Sequence, residues 1–202
     1  GLDDGIAQNG EFAGNANASG DFAHFDGNGD DFDVDGGAGA TTDAPFDMAS
    51  GTIEVQFVQD AHVGTSPDTI VNRGEYADRS SEGYFNISVQ ANGAIRVIHC
   101  ANGEDAVLTT SPGLVGPGQD VNVTYTWDEA TGVSLVVENL DSGSSQTVTS
   151  GTTGLTMEIG DNDYENFTFG ARESDDGVKD EFFDGSIDYV AIYEAAGPEA
   201  DG

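Results

Sequence analysis

The segment from His24 to Gly37 reads HFDGNGDDFDVDGG. Its aspartates and Asn28 are hard oxygen donors, and Asp26, Asn28 and Asp30 stand at alternate positions, the D-x-N-x-D opening of a loop that wraps calcium. An EF-hand then needs glycine at its sixth position and a bidentate glutamate at its twelfth, where this chain has Asp31 and Gly37. The tandem G-G-x-G-x-D-x-U-x turn fails too, because Asp33 falls on its apolar position and no repeat stacks beneath it. Any ion held here must take further ligands from elsewhere in the fold. A second acidic stretch, Asp161-Asn162-Asp163 with Glu165, is an alternative metal site.

The charge balance narrows the partners. Against 38 acidic residues stand five basic ones, Arg73, Arg79, Arg96, Arg172 and Lys179, for a formal net charge of −33. Self-repulsion of that size weakens a compact state and is relieved by divalent cations or high salt. No Lys/Arg cluster is present to displace counter-ions, so nucleic acid and anionic membrane surfaces are poor partner candidates. No apolar run is long enough for membrane insertion. Cys100 is the sole cysteine, which precludes an intramolecular disulfide. With His24, His62 and His99 it makes no zinc-ligand spacing, and the three histidines are expected to be structural or exposed. Low cysteine and lysine beside abundant aspartate, glycine and asparagine fit an extracellular protein, secreted into a saline or calcium-containing medium.

These groups need a scaffold. The chain has 202 residues, 37% hydrophobic and 9% aromatic, enough to bury one sizeable core, and no break in composition divides it. We read residues 1–202 as a single domain with its core over about 21–194, residues 1–20 wrapping the surface or forming an edge strand, and 195–202 as a tail. Helix-period segments with caps are absent. Short β-rich runs recur instead between turn-forming clusters, which predicts an all-β fold of two stacked antiparallel sheets. Ile53, Val55 and Phe57 alternate with Thr52, Glu54 and Gln56, as do Phe85, Ile87 and Val89 with Asn86, Ser88 and Gln90. Asn92-Gly93 suits the tight hairpin that leads to Ala94–His99. A second hairpin joins Val121, Val123, Tyr125 and Trp127 to Val133, Leu135 and Val137, with Trp127 expected in the core by its parity. A further hairpin is expected within Asp141–Gly154, and Phe167 and Phe169 mark a strand. Ser186–Tyr193 is apolar at both parities, so it is expected to be central and covered on both faces.

Three pieces in order, FAHFDGNGDDFDV (22–34), SGTIEVQFV (50–58) and FFDGSIDYVAIYE (182–194), resemble the laminin G-like, concanavalin A-like jelly-roll domains of the pentraxin and lectin/glucanase superfamily. Phe25, Asp26, Gly27 and Asp30 match the family's opening; Gly51, Thr52, Ile53, Glu54 and Phe57 its middle strand; Phe183, Gly185, Ile187, Asp188, Val190, Ile192 and Tyr193 its close. The resemblance implies a two-sheet antiparallel jelly-roll sandwich in which Phe25, Phe32 and Val34 belong to the core. It also implies a structural Ca2+ where the first strands meet the last, held by Asp188 with Asp26 or Asp30 and a backbone oxygen near Gly51. Without an ion, Asp188 would hydrogen-bond neighbouring backbone amides and the opening aspartates would form a solvated turn.

Enzymes of this fold place their chemistry in short motifs that the chain lacks. Laminarinase-like hydrolases carry E-x-D-x-(x)-E on one strand, aiming two carboxyls into a cleft, whereas Glu173-Ser174-Asp175 is followed by Val178 where the second glutamate belongs. Alginate-lyase-like members use R-x-E-x-R, Q-I-H and Y-x-K; here the outer arginine is missing around Arg172, Val97 precedes Ile98-His99, and Asn86 stands in place of the lysine. Carbohydrate binding is the family function left. Tyr84, Asn86, Ser88 and Gln90 beside Arg96 form a polar stripe across one sheet, with Thr124, Thr126, Glu54 and Gln56 expected nearby; it is either a sugar site or an ordinary solvated face. Arg73, Glu75, Tyr76, Arg172 and Glu173 form a second candidate set at a loop rim, unless the arginines only neutralise adjacent carboxylates. The expected function is a non-catalytic, calcium-stabilised glycan-binding or adhesion module of a larger, secreted bacterial protein, with cell-surface or extracellular polysaccharide as partner. The alternatives are a polysaccharide-cleaving enzyme on the same fold and a purely structural module of a large adhesin or repeat-in-toxin protein.

Overall fold

A computed structural model of the chain describes residues 10–13, 17–19, 22–34, 46–62, 64–80, 83–159, 167–175 and 178–194. In the first half run β1 (Gly10–Ala13), β2 (Asn17–Ser19), β3 (Phe22–Asp26), β4 (Asp31–Val34), β5 (Ser50–Gln59), β6 (Asp68–Arg73), β7 (Tyr84–Val89) and β8 (Ile95–Ala101). In the second run β9 (Glu104–Thr109), β10 (Asp120–Asp128), β11 (Gly132–Asn139), β12 (Ser144–Ser150), β13 (Phe167–Phe169), β14 (Arg172–Asp175), β15 (Val178–Asp180) and β16 (Asp184–Glu194). The first sheet has the order β1-β4-β13-β6-β7-β8-β9 and the second β12-β11-β10-β5-β16-β3-β2; β14 and β15 pair only with each other. Every pairing is antiparallel, and the two large sheets form the expected concanavalin A-like sandwich. No helix of the described residues is long and apolar enough to cross a membrane.

The core follows from period-2 alternation. Ile53, Val55 and Phe57 of β5 meet Val121, Val123, Tyr125 and Trp127 of β10 and Phe85, Ile87 and Val97 of the first sheet, all fully buried. The Trp127 indole donates to the Met48 carbonyl at 3.1 Å. It also lies over Gly51, where a Cβ would come within 2.6 Å of the ring, so only glycine fits there. His99 is buried between the sheets, its Nε2 2.9 Å from the Thr156 carbonyl and its Nδ1 2.8 Å from the Tyr125 hydroxyl. A carbonyl only accepts, so Nε2 carries the proton and Nδ1 accepts from Tyr125. Burial pulls the His99 pKa down to about 4.

HFDGNGDDFDVDGG is a corner between the sheets: β3 belongs to the second sheet and β4 to the first. The Asp26 amide donates to Asp30 Oδ2 at 2.9 Å and the Asn28 amide to Asp26 Oδ1 at 2.9 Å, which closes the turn on its own carboxylates. Phe25 is fully buried and Phe32 packs against the core, as expected; the side chain of Val34 lies outside the described residues. β1 and β2 form the outer edges of the two sheets.

The last strand needs correction. β16 is central, between β5 and β3, but it is not covered on both faces: Tyr189 is 43% and Tyr193 36% exposed. A register shift between Ile187 and Tyr189 puts both tyrosines on the outer face. Tyrosine suits half-wet positions as well as dry ones, so an apolar pattern at both parities does not distinguish the two.

Candidate functional site

The outer face of the first sheet is polar and yet covered. Thr69 and Asn72 of β6, Asn86 and Ser88 of β7 and Thr168 of β13 point away from the core, and each is at most 1% exposed. The cover is the β14–β15 hairpin with Glu181, and the loop Gly74–Ser80. The Tyr76 amide donates to the Glu173 carbonyl at 3.1 Å and the Ala77 amide to the Ser174 carbonyl at 3.1 Å, tying loop and hairpin together. Arg172 binds both oxygens of Asp180, at 2.8 and 2.9 Å, and Glu181 at 2.9 Å. Burial favours the neutral guanidine of Arg172, but these carboxylates outweigh it and raise its pKa. Glu181 has φ of 51°, a strained conformation for a residue with a Cβ, and from it receives the Thr69 hydroxyl at 3.4 Å. Burial raises the Glu181 pKa against the opposing pull of Arg172 and Arg96.

Beside this network, the Tyr76 ring carries the Arg79 guanidinium at 4.2 Å and the Arg172 guanidinium at 4.6 Å from its centroid, with Tyr84 edge-on at 5.4 Å. Such cation–aromatic contacts hold the arginine planes flat on the ring. At the other end, Lys179 of β15 bridges Asp31 and Asp33 of β4, and the Thr168 hydroxyl donates to Asp33 at 2.7 Å. Glu173 is 6% exposed, and burial pushes its pKa up to about 7, reinforced by Asp33, Glu75 and Asp31 and opposed by Lys179. Among the described residues, Asn72 Oδ1 and Arg96 Nε are buried on this face with no hydrogen-bond partner.

Of the expected carbohydrate residues, Tyr84, Asn86, Arg96 and Arg172 are brought together here, Tyr84 and Asn86 as a buried floor and the arginines above them. Arg73 is not part of the site. It faces the core, fully buried between the Phe46 and Phe167 rings, donating to the Phe46 and Met157 carbonyls at 2.9 and 2.7 Å and to Asp47 at 3.0 Å. Glu54, Gln56, Thr124 and Thr126 lie on the outer face of the other sheet, not beside Asn86, because β5 and β10 belong to the second sheet. The stripe is also not an ordinary solvated face, since the hairpin seals it.

The expected calcium ligands do not converge. Asp26 pairs with Asp184, and Asp188 lies four residues further along β16, about 13 Å at the usual strand rise. Gly51 stands opposite Glu194, about 20 Å beyond Asp188, and is flanked by β10 on its other side. One calcium ion with ligands at about 2.3–2.6 Å cannot span this set, so Asp26, Asp30, Gly51 and Asp188 do not fit a shared ion. Asp161, Asp163 and Glu165 lie outside the described residues. Among the described residues no group of three or more His, Cys, Asp or Glu side chains is arranged to hold a metal.

Sequence reasoning passed over Arg79, Lys179 and Glu181. The signal available was the scarcity of cations: four of the five basic residues sit on this face, and each marks a carboxylate or ring it must meet. It also passed over β9, although Asn102-Gly103, with φ of 54° and 79°, is the same turn signature as Asn92-Gly93.

Solved structures share the fold at low identity. The LG1-3 region of the laminin α2 chain aligns with a TM-score of 0.64 and 11% identity, covering 87% of this chain and 31% of that one. The CBM40 carbohydrate-binding module of the Ruminococcus gnavus IT-sialidase aligns with 0.60 and 16% identity over 86% of this chain and 90% of that one. The enzymatically active domain of bacteriophage CBA120 tailspike protein 2 aligns with 0.56 and 12% identity over 85% and 25%. The chain therefore spans about a third of the laminin region it resembles. No curated protein sequence matches it. The laminin G-type family model matches residues 32–201, and with the sandwich it encloses this places the chain in the concanavalin A-like lectin/glucanase superfamily.

Proposed function

We propose that the chain is a non-catalytic glycan-binding or adhesion module of a larger secreted bacterial protein, which engages its glycan where Tyr76, Arg79 and Arg172 meet at the edge of the covered face. One observation carries this reading: in a chain of net charge −33, every basic side chain outside the core stands on this face, and two of them flank an aromatic ring. Sugar sites combine an aromatic surface with a few fixed polar groups that match pairs of hydroxyls. Tyr76 supplies the surface, and Arg172, locked by Asp180 and Glu181, supplies fixed donors. The fold likeness to CBM40, solved with α2,3- and α2,6-sialyllactose, supports a glycan as the ligand class. Calcium enters as a counter-ion that relieves self-repulsion, not as a bridge among Asp26, Asp30, Gly51 and Asp188.

Affinity electrophoresis and a glycan array, with and without EDTA, test the proposal. Retardation by a glycan should be lost in Tyr76→Ala and in Arg79→Ala, because neither side chain is buried in the core. Silence of the wild-type chain across broad panels would assign it a structural role instead.

A second reading, polysaccharide cleavage, is favoured by Glu173. A carboxyl whose pKa burial pushes up to about 7, with further carboxyls beside it, has the raised acid that glycoside hydrolysis uses. The burial of its side chain on β14 weighs against access by a substrate. Reducing-sugar release that disappears in Glu173→Gln would establish this reading.

A further inference from the structure

The second sheet presents a different outer surface, and nothing in the glycan reading above uses it. Three cross-strand pairs lie side by side on β16 and β5: Tyr189 opposite Gln56, Ala191 opposite Glu54, and Tyr193 opposite Thr52. The two tyrosines are the exposed large hydrophobic side chains of this strand, and their hydroxyls meet at 2.5 Å across Ala191. Alanine between them leaves room for both rings to lean along the strand, making a shallow aromatic trough instead of two upright posts. Next to the trough stands a row of fixed hydrogen-bonding groups. Gln56 is held by both oxygens of Asp120, at 3.0 and 2.9 Å, and the Thr52 hydroxyl meets that of Thr126 at 3.3 Å. Glu54 is not covered by any basic group, because all five basic residues of the chain lie in the core or on the first sheet's outer side.

We infer that this surface is a second glycan site, for an uncharged polysaccharide whose sugar rings stack on Tyr189 and Tyr193 and whose hydroxyls bond Glu54, Gln56 and Thr52. The occupant is fixed by three features. Exposed aromatic faces with polar neighbours bind the apolar faces of sugar rings while their edges stay wet. The carboxylates of Glu54, Asp120 and Asp188, with no cation among them, repel uronic, sulfated or phosphorylated chains. The apolar area is two separated rings on a Thr/Gln/Glu surface, too small and too polar for the dry centre of a stable protein interface. The site is independent of the Tyr76–Arg79 rim, which lies on the opposite side of the sandwich.

The test is native affinity electrophoresis of the whole chain in gels containing laminarin, galactomannan or xyloglucan, with alginate and heparin as anionic controls. The wild-type chain is expected to be retarded by at least one uncharged polymer and by neither anionic one through this face. Tyr189→Ala/Tyr193→Ala should weaken that retardation by about tenfold or more, the loss expected from removing two stacking rings. The same loss is expected in Ala191→Gln, which fills the trough and leaves both tyrosines in place. Tyr76→Ala and Arg79→Ala should leave it unchanged, so failure of the rim site and failure of this one are told apart. Three results would overturn the inference: no retardation of the wild type by any uncharged polymer, retardation equal in the tyrosine variants, or a concentration-dependent self-association that the tyrosine substitutions abolish. The last would make the trough a contact between copies of the chain.

Discussion

The two outer faces of this sandwich start from the same strand chemistry and end differently. Both carry threonine, asparagine or glutamine at alternate positions, but on the first sheet Thr69, Asn72, Asn86, Ser88 and Thr168 are sealed under the β14–β15 hairpin. On the second, Tyr189 and Tyr193 stand open to solvent. The difference lies in cations. A polar sheet face can be covered only if the groups laid on it find partners, since a buried unpaired charge or amide is costly. Arg172 and Arg96 offset the hairpin's Asp180 and Glu181, and the hairpin's Lys179 meets Asp31 and Asp33 of β4, so hairpin and first sheet can close on each other; the second sheet has no lysine or arginine to offer. In a strongly acidic protein the few basic residues thus decide which surface is closed.

Breaking that closure should have the largest effect. Arg172→Ala leaves Asp180 and Glu181 without their partner and is expected to cost about 2 kcal/mol, between the limits for exposed and buried pairs, with faster hydrogen exchange across residues 172–181. Glu54→Ala on the open face should change stability by less than about 0.5 kcal/mol. Denaturant titration of both variants checks the contrast, and equal losses would erase it.

The covered face should also respond to pH through Glu173. Glu173 has a folded pKa near 7 against an ordinary 4.5, so between those values the folded chain binds more protons than the unfolded one. Its contribution to stability is therefore full below about pH 4.5 and is lost as pH rises through about 7. His99, pulled down to about 4, acts in the opposite sense, its contribution being lost as pH falls from about 6.5 through 4. The melting temperature of the wild type minus that of Glu173→Gln, followed from pH 4.5 to 8, isolates the first effect and should fall across that range. A flat difference would show that the hairpin does not keep Glu173 dry.

A smaller, graded effect is expected from ions. With net charge −33 the melting temperature should rise with sodium chloride and rise further with calcium or magnesium at equal ionic strength, without a saturating step. A saturable response to calcium alone, reversed by EDTA, would instead require a defined site. Asp161, Asp163 and Glu165 would then be the carboxylates to substitute first.

Much of the scaffold was legible from residue order alone. Alternation located β5, β7, β10 and β11 and put Trp127 in the core, and the Asn92-Gly93 turn fixed a hairpin register. The closing motif has a visible cause at Gly185: with φ of 154°, a Cβ there would come within 2.2 Å of the Val58 carbonyl, so the chain tolerates only glycine. Four of the proposed carbohydrate residues do meet, because Tyr84, Asn86 and Arg96 share a sheet face by parity and Arg172 is folded back over it. Arg73 could not be placed this way. It shares inward parity with Val71, but an arginine there reads as a rim group until the Phe46 and Met157 carbonyls that receive it are known.

Sequence by itself determined the strand chemistry, the sandwich and the scarcity of positive charge, since each is carried by residue type and near-neighbour spacing. Only the tertiary structure decided which strands share a sheet, and with that which polar residues share a face. Period-2 alternation says that a side chain points in or out but not onto which of two sheets, so Glu54 and Asn86 look alike in the chain and lie on opposite sides of the molecule. The HFDGNGDDFDVDGG segment shows the same limit. Its aspartates have the spacing of a calcium loop, yet the fold turns Asp26 and Asp30 onto the amides of their own corner, and the register of β16 carries Asp188 out of reach.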